Sequence, residues 1–203
     1  MLELVWWTVG SLLTCLFPLL AVGAVVLVLV TWTRKGPRAL AIDLHRGYFY
    51  LISFPTLLVV FASVTLAIRA GISLTLNIPE SGFEETRQNL AWALAAVVVS
   101  APVWLFHWRR SLEVTNGTQS NLPRLYLYSV MAVLLLSAVA FGGVLVFETL
   151  QVPLGLVDLG ALNEPQQLAR DVISTGLATL LALGLWLYHW RQLEATPAPT
   201  EPT

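Results

Sequence analysis

Two histidines stand in matching phrases of the chain. "WLFHWRR" occupies residues 104–110 and "WLYHWRQ" residues 186–192, so His107 and His189 lie 82 residues apart. Two imidazoles held at one depth by equivalent helices could bind a haem iron or another metal between them. The same phrases also suit a plainer chemistry. Trp104, Trp108, Trp186 and Trp190, with Arg109, Arg110 and Arg191, are residue types that anchor helix ends at the lipid headgroups. On that reading each histidine is one more amphipathic side chain at the interface. Interfacial anchoring is the expected role, with no cofactor, and haem is the alternative.

A second pair, Arg69 and Glu148, ends two apolar stretches at equivalent places. Each could snorkel to water, or the two could form an ion pair between the halves of the chain. Tyr48, Tyr50, Tyr126 and Tyr128 open two apolar stretches and complete an aromatic belt. No H-E-x-x-H, G-x-S-x-G, phosphate loop or EF-hand motif is present, so no catalytic residue is assigned. Cys15 is the single cysteine, which excludes an intrachain disulfide, a thiolate zinc site and a CxxC pair.

These residues must be positioned by membrane helices. The chain is 57% hydrophobic and 11% charged, against about 25% charged in a soluble domain. The net charge of −1 gives no reason to expect a nucleic-acid partner. Five stretches reach the roughly 20 apolar residues that a bilayer crossing needs: residues 4–33, 47–68, 90–108, 125–147 and 172–190. The first is longer than needed and contains Pro18, which predicts a bend. It has Glu3 and no basic residue before it, and it exceeds the length of a signal-peptide core, so it reads as a retained helix.

Basic residues predict the orientation. Arg34, Lys35, Arg38, Arg46, Arg109, Arg110, Arg124 and Arg191 share one side, and Arg69, Arg87 and Arg170 fall on the other. The N-terminus is therefore expected outside and the C-terminus in the cytoplasm. The expected outer loops are acidic, with Glu80, Glu84 and Glu85 in one and Asp158, Glu164 and Asp171 in the other. Asn116-Gly117-Thr118 fits a glycosylation triplet but falls on the expected cytoplasmic side. The tail "ATPAPTEPT" has a disordered composition.

The repeated phrase extends into a longer duplication. At the same offset of 82, Ser81 meets Asn163 and Glu84 meets Gln166, so that Ser81-x-x-Glu84 and Asn163-x-x-Gln166 both have the spacing of a helix N-terminal capping box. At an offset of 78, "RGYFY" (46–50) meets "RLYLY" (124–128). The expectation is two parallel copies of one helical hairpin, related by a pseudo-twofold axis along the membrane normal. Small-xxx-small spacings at Ala91 and Ala95, Ala96 and Ser100, and Ala138 and Gly142 would permit close helix approach.

The fold class is accordingly all-α: a polytopic membrane protein of five transmembrane helices. Residues 1–33 form the first helix and 34–45 a cytoplasmic linker. Residues 46–113 and 124–194 are the two hairpins of a four-helix bundle, joined by a loop at 114–123. Residues 195–203 are the tail.

The order R-x-Y-x-Y, apolar helix, acidic loop, helix, W-L-[FY]-H-W-R resembles a bacterial family of integral-membrane proteins classed only as a domain of unknown function. The resemblance covers about residues 44–194. It implies the hairpin fold and a bacterial inner membrane, and carries no activity. The leading expectation is a non-catalytic scaffold or accessory subunit whose partners are lipids and other membrane subunits, or a second copy of itself. The alternatives are a haem-binding or electron-transfer subunit using His107 and His189, and a small transporter of a lipid or apolar substrate.

Overall fold

The computed structural model describes residues 37–78, 82–115, 122–161 and 163–195. They form four helices: α1 (Pro37–Thr75), α2 (Phe83–Thr115), α3 (Leu122–Leu150) and α4 (Glu164–Ala195). Four helices are described where five spans were expected. The expected first span at residues 4–33, with Cys15 and Pro18, lies outside the described residues, as do Ser81, the 116–118 triplet and most of the tail.

Each helix carries a segment long and apolar enough to cross a bilayer: Gly47–Thr75, Phe83–Glu113, Pro123–Leu150 and Glu164–Ala195. The protein is a membrane protein with an all-α bundle. The helices overrun the apolar stretches at both ends. Helix α1 starts at Pro37, inside the stretch expected to be a linker, because proline suits a first helical turn and "ALAIDLHR" contains nothing that breaks a helix. Helix α4 starts at Glu164, so Arg170 and Asp171, expected in an outer loop, lie two turns inside it.

Helices α1 and α2 form one antiparallel hairpin and α3 and α4 another. Both hairpins turn at the same end, through residues 76–82 and 151–163. At this turn end Gly82, at φ 105°, supplies the carbonyl that accepts both the Thr86 N–H and the Thr86 hydroxyl and so starts α2. Asn163, at φ 75°, supplies the first carbonyl of α4 to the Gln167 N–H. At the opposite, open end lie the starts of α1 and α3 and the ends of α2 and α4.

Pro55 and Pro102 lie within helices that continue past them. Proline denies one carbonyl its helical N–H. Beside Pro55, the Thr56 hydroxyl donates to Ile52 O at 2.7 Å and Ser53 O at 3.1 Å.

Lipid tails provide no hydrophobic drive between helices, so packing and polar bonds must hold them. The core follows helical spacing: Tyr50, Leu57 and Phe61 on α1, Leu127, Val130, Leu134 and Ala138 on α3, and Ala178 and Ala182 on α4. Phe61 and Phe141 meet edge to face at 6.2 Å across the hairpins. The buried stripe of α4 runs from Asp171 through Thr175, Ala178 and Ala182 to His189. Its middle is small, which lets α4 approach α3 and α1. Its two ends are polar, and both ends carry the candidate sites. Outward-facing positions are apolar, including Trp92, Val98, Leu136, Val139 and Leu180, as a lipid-facing surface requires.

Candidate functional site

The histidines at the open end occupy different surroundings. His107 is half-buried against α1, with its ring 5.6 Å from Tyr48, 6.0 Å from Phe49 and 5.2 Å from Phe106. His189 is completely buried, 5.4 Å from Trp108, 6.5 Å from Tyr126 and 5.1 Å from Tyr188. In each, Nδ1 lies 2.8 Å from the carbonyl four residues earlier, Val103 O for one and Leu185 O for the other. A carbonyl can only accept, so a neutral ring bonded this way carries its proton on Nδ1 and its lone pair on Nε2. His107 Nε2 lies 3.4 Å from the Tyr48 hydroxyl. His189 Nε2 has no partner.

The tryptophans of the repeated phrase part in the same way. Trp108 is 2% exposed, stacks on Tyr126 at 5.2 Å and donates its indole N–H to the Tyr188 hydroxyl at 2.9 Å. Trp190, its sequence equivalent, is 41% exposed and donates to Glu194 Oε1 at 2.8 Å. Trp186 packs on Trp190 at 5.3 Å and also borders the core, as Trp104 does. Arg109, Arg110 and Arg191 are exposed, and Arg110 pairs with Glu113 at 2.7 Å.

Tyr50 and Tyr126, expected in the interfacial aromatic belt, are instead buried with their rings 5.1 Å apart, and Tyr50 donates to Ser111 O at 3.4 Å. Tyr48 and Tyr128 face outward. The belt is thus half a belt and half a clasp. Tyr50, Trp108, Tyr126 and His189 join all four helices where the hairpins meet.

The turn end holds a buried polar cluster. Arg69 Nη2 of α1 lies 3.2 Å from Asp171 Oδ1 of α4. Arg170 reaches the same carboxylate oxygen with Nη2 and with Nε, each at 2.8 Å, and its Nη1 lies 3.4 Å from Ile78 O in the first turn. Glu148 of α3 is 1% exposed, and its Oε2 lies 2.7 Å from the Thr175 hydroxyl of α4. The expected partners Arg69 and Glu148 therefore belong to one cluster, but the direct ion pair of Arg69 described here is with Asp171. Glu148 meets a hydroxyl. Geometry explains the change: Asp171 and Thr175 are one turn apart on the face of α4 that lies between α1 and α3.

Sequence reasoning missed Arg170, Asp171 and Thr175 as site residues. The available signal was D-x-x-x-T at the head of an apolar helix, which places a carboxylate and a hydroxyl on one face. Among the described residues, no group of three or more His, Cys, Asp or Glu side chains is placed to hold a metal ion.

A bundle of four bilayer-length helices, joined by buried polar contacts and apolar on its outside, defines a polytopic helical membrane protein. The chain belongs to the family described as Domain of unknown function (DUF5671), whose model matches residues 46–181. No curated protein and no solved structure matches the chain.

Proposed function

We propose that the protein is a non-catalytic integral-membrane scaffold or accessory subunit of a bacterial inner-membrane complex. One observation carries this reading: the charged side chains within the helical bundle join helix to helix. Arg69, Arg170 and Asp171 bind one another and the turn at Ile78, an arrangement that stiffens a bundle. The broad apolar outside then offers area to lipids, to partner subunits or to a second copy. The two hairpins are read as copies of one ancestral unit. Their clustering of Arg109, Arg110, Arg124 and Arg191 toward the open end supports a cytoplasmic open end. The test is affinity purification of the full chain in mild detergent after cross-linking in membranes. A stoichiometric membrane-protein partner or self-assembly is expected. A monomer without partners, with or without cross-linking, contradicts the reading.

A haem-binding reading keeps one favourable observation. His189 presents a buried Nε2 lone pair while Nδ1 is held by a carbonyl, the arrangement that orients metal-ligating histidines. The pair does not fit as well, because His107 turns toward Tyr48 and Phe49 while His189 turns toward Trp108 and Tyr126. Visible absorption of protein purified from haem-supplied cells separates the readings: a haem band lost in His189→Leu supports haem, and a colourless sample removes it. Transport of a lipid or apolar substrate has no such observation in its favour.

A further inference from the structure

Each helix sends one buried polar atom without a hydrogen-bond partner into the open end of the bundle. They are Ser53 Oγ from α1, Trp104 Nε1 from α2, the Tyr126 hydroxyl from α3 and His189 Nε2 from α4. Ser53 and His189 are completely buried, and Tyr126 is nearly so. Buried polar side chains are answered as a rule, by protein or by ordered water.

The atoms belong to one layer with Tyr126 at its centre. The Trp104 indole bears on the Tyr126 hydroxyl without reaching bonding geometry. The His189 ring is 6.5 Å from the Tyr126 ring. On α1, Tyr50 and Phe54 both touch that ring, at 5.1 Å and 6.4 Å. Ser53 follows Tyr50 by three positions and shares this face of the helix, so its hydroxyl belongs to the same layer.

Chemistry and packing together select the ligand. Trp104 can only donate, and the two hydroxyls can donate or accept. His189 Nδ1 is taken up by the Leu185 carbonyl, which leaves Nε2 to be met. Water, with two hydrogens and two lone pairs, answers donors and acceptors alike, and a buried water typically makes about three such bonds. The rings of Tyr50 and Trp108 stand 5.1 Å and 5.2 Å from Tyr126, so a planar ligand has no slot between them.

We propose that the open end holds a bound-water site: ordered water between Ser53, Trp104, Tyr126 and His189 that links all four helices inside the bundle. It supplies the hydrogen bonds that the aromatic clasp leaves unmade. Deeper in the bundle, Phe61 packs on Phe141 within the apolar core, where no water is expected. The site goes beyond the scaffold reading and stands whether or not a partner is found.

Hydroxyl-radical footprinting by X-ray radiolysis, read by mass spectrometry on the full chain in lipid vesicles, tests this. Radicals formed from a bound water oxidise the side chains that touch it. Wild-type Tyr126 should be modified several-fold faster than Phe61, although both are buried. Ser53→Ala and His189→Leu each remove a partner of the water and should bring Tyr126 toward the Phe61 rate, with the exposed Tyr128 unchanged. If His189→Leu also makes Phe61 reactive it has lost its fold, and Ser53→Ala, which deletes a single oxygen, decides. A wild-type Tyr126 as unreactive as Phe61 overturns the proposal. So does a Tyr126 rate that neither variant lowers.

Discussion

The indole N–H of Trp108 donates to the hydroxyl of Tyr188 at 2.9 Å, tying the end of α2 to the end of α4. Tyr188 precedes His189 in the second copy of the repeated phrase. The phrase therefore binds to itself across the hairpins, but out of register: Trp108 points inward where Trp190 points outward, and His189 points inward where His107 does not. Adjacent positions on a helix differ by about 100°, so a rotation of that size between the two copies, more than a quarter turn, exchanges the buried residue for its neighbour. Helix α4 packs on both α3 and α1, whereas α2 packs chiefly on α1. The two helix ends therefore meet different surroundings.

This asymmetry predicts unequal mutants. Trp108→Phe removes an interhelical hydrogen bond, worth about 0.6–2 kcal/mol in a membrane protein, and should lower the melting temperature in detergent. Trp190→Phe removes the exposed hydrogen bond to Glu194, keeps an aromatic ring against Trp186, and should melt within about 0.5 kcal/mol of wild type. Equal losses in the two would contradict the placement.

Ala182 is fully buried at the centre of the α4 stripe. Ala182→Leu must displace its neighbours in the packed core, at about 1–3 kcal/mol, and should reduce both folded yield and melting temperature. Ala140→Leu, on an exposed face of α3, should leave both unchanged. Detergent thermal unfolding of the two proteins compares them directly.

Membrane-impermeant thiol labelling checks the arrangement of ends. In a Cys15→Ser background, cysteines replacing Thr75 or Leu154 should react from one side of the membrane. Cysteines replacing Glu113 or Ala195 should react only from the other. If Glu113→Cys and Ala195→Cys label from opposite faces, the two hairpins do not cross in the same sense.

The four described spans were legible because bilayer length imposes a long apolar run, and that run is visible in composition alone. The helix ends were less legible. Residues 83–89 and 164–170 are largely polar, yet they continue the helices past the apolar stretch, and the one helix breaker among them, Pro165, stands in the first turn of α4, where proline is tolerated. Arg69 and Glu148 stood out as charges at the margins of apolar stretches, and both lie in the turn-end cluster. Their direct partners did not stand out, because Asp171 and Thr175 read as loop and span until the start of α4 is known. The histidines were singled out by repetition, but a phrase repeated in the sequence does not say which face of a helix is buried. Tyr50 and Tyr126 illustrate the same gap: the composition of an aromatic belt does not say which rings turn inward.

A double-mutant cycle on Arg69→Gln and Asp171→Asn, read by unfolding in detergent, tests the central claim that a buried ion pair locks one hairpin to the other. Each single substitution leaves a buried charge short of a partner, so each should destabilise strongly, while the double should cost less than the sum. The expected coupling is about 0.5–3 kcal/mol. Strictly additive losses would show that the two residues do not interact, and the hairpins would then have to be held together in some other way.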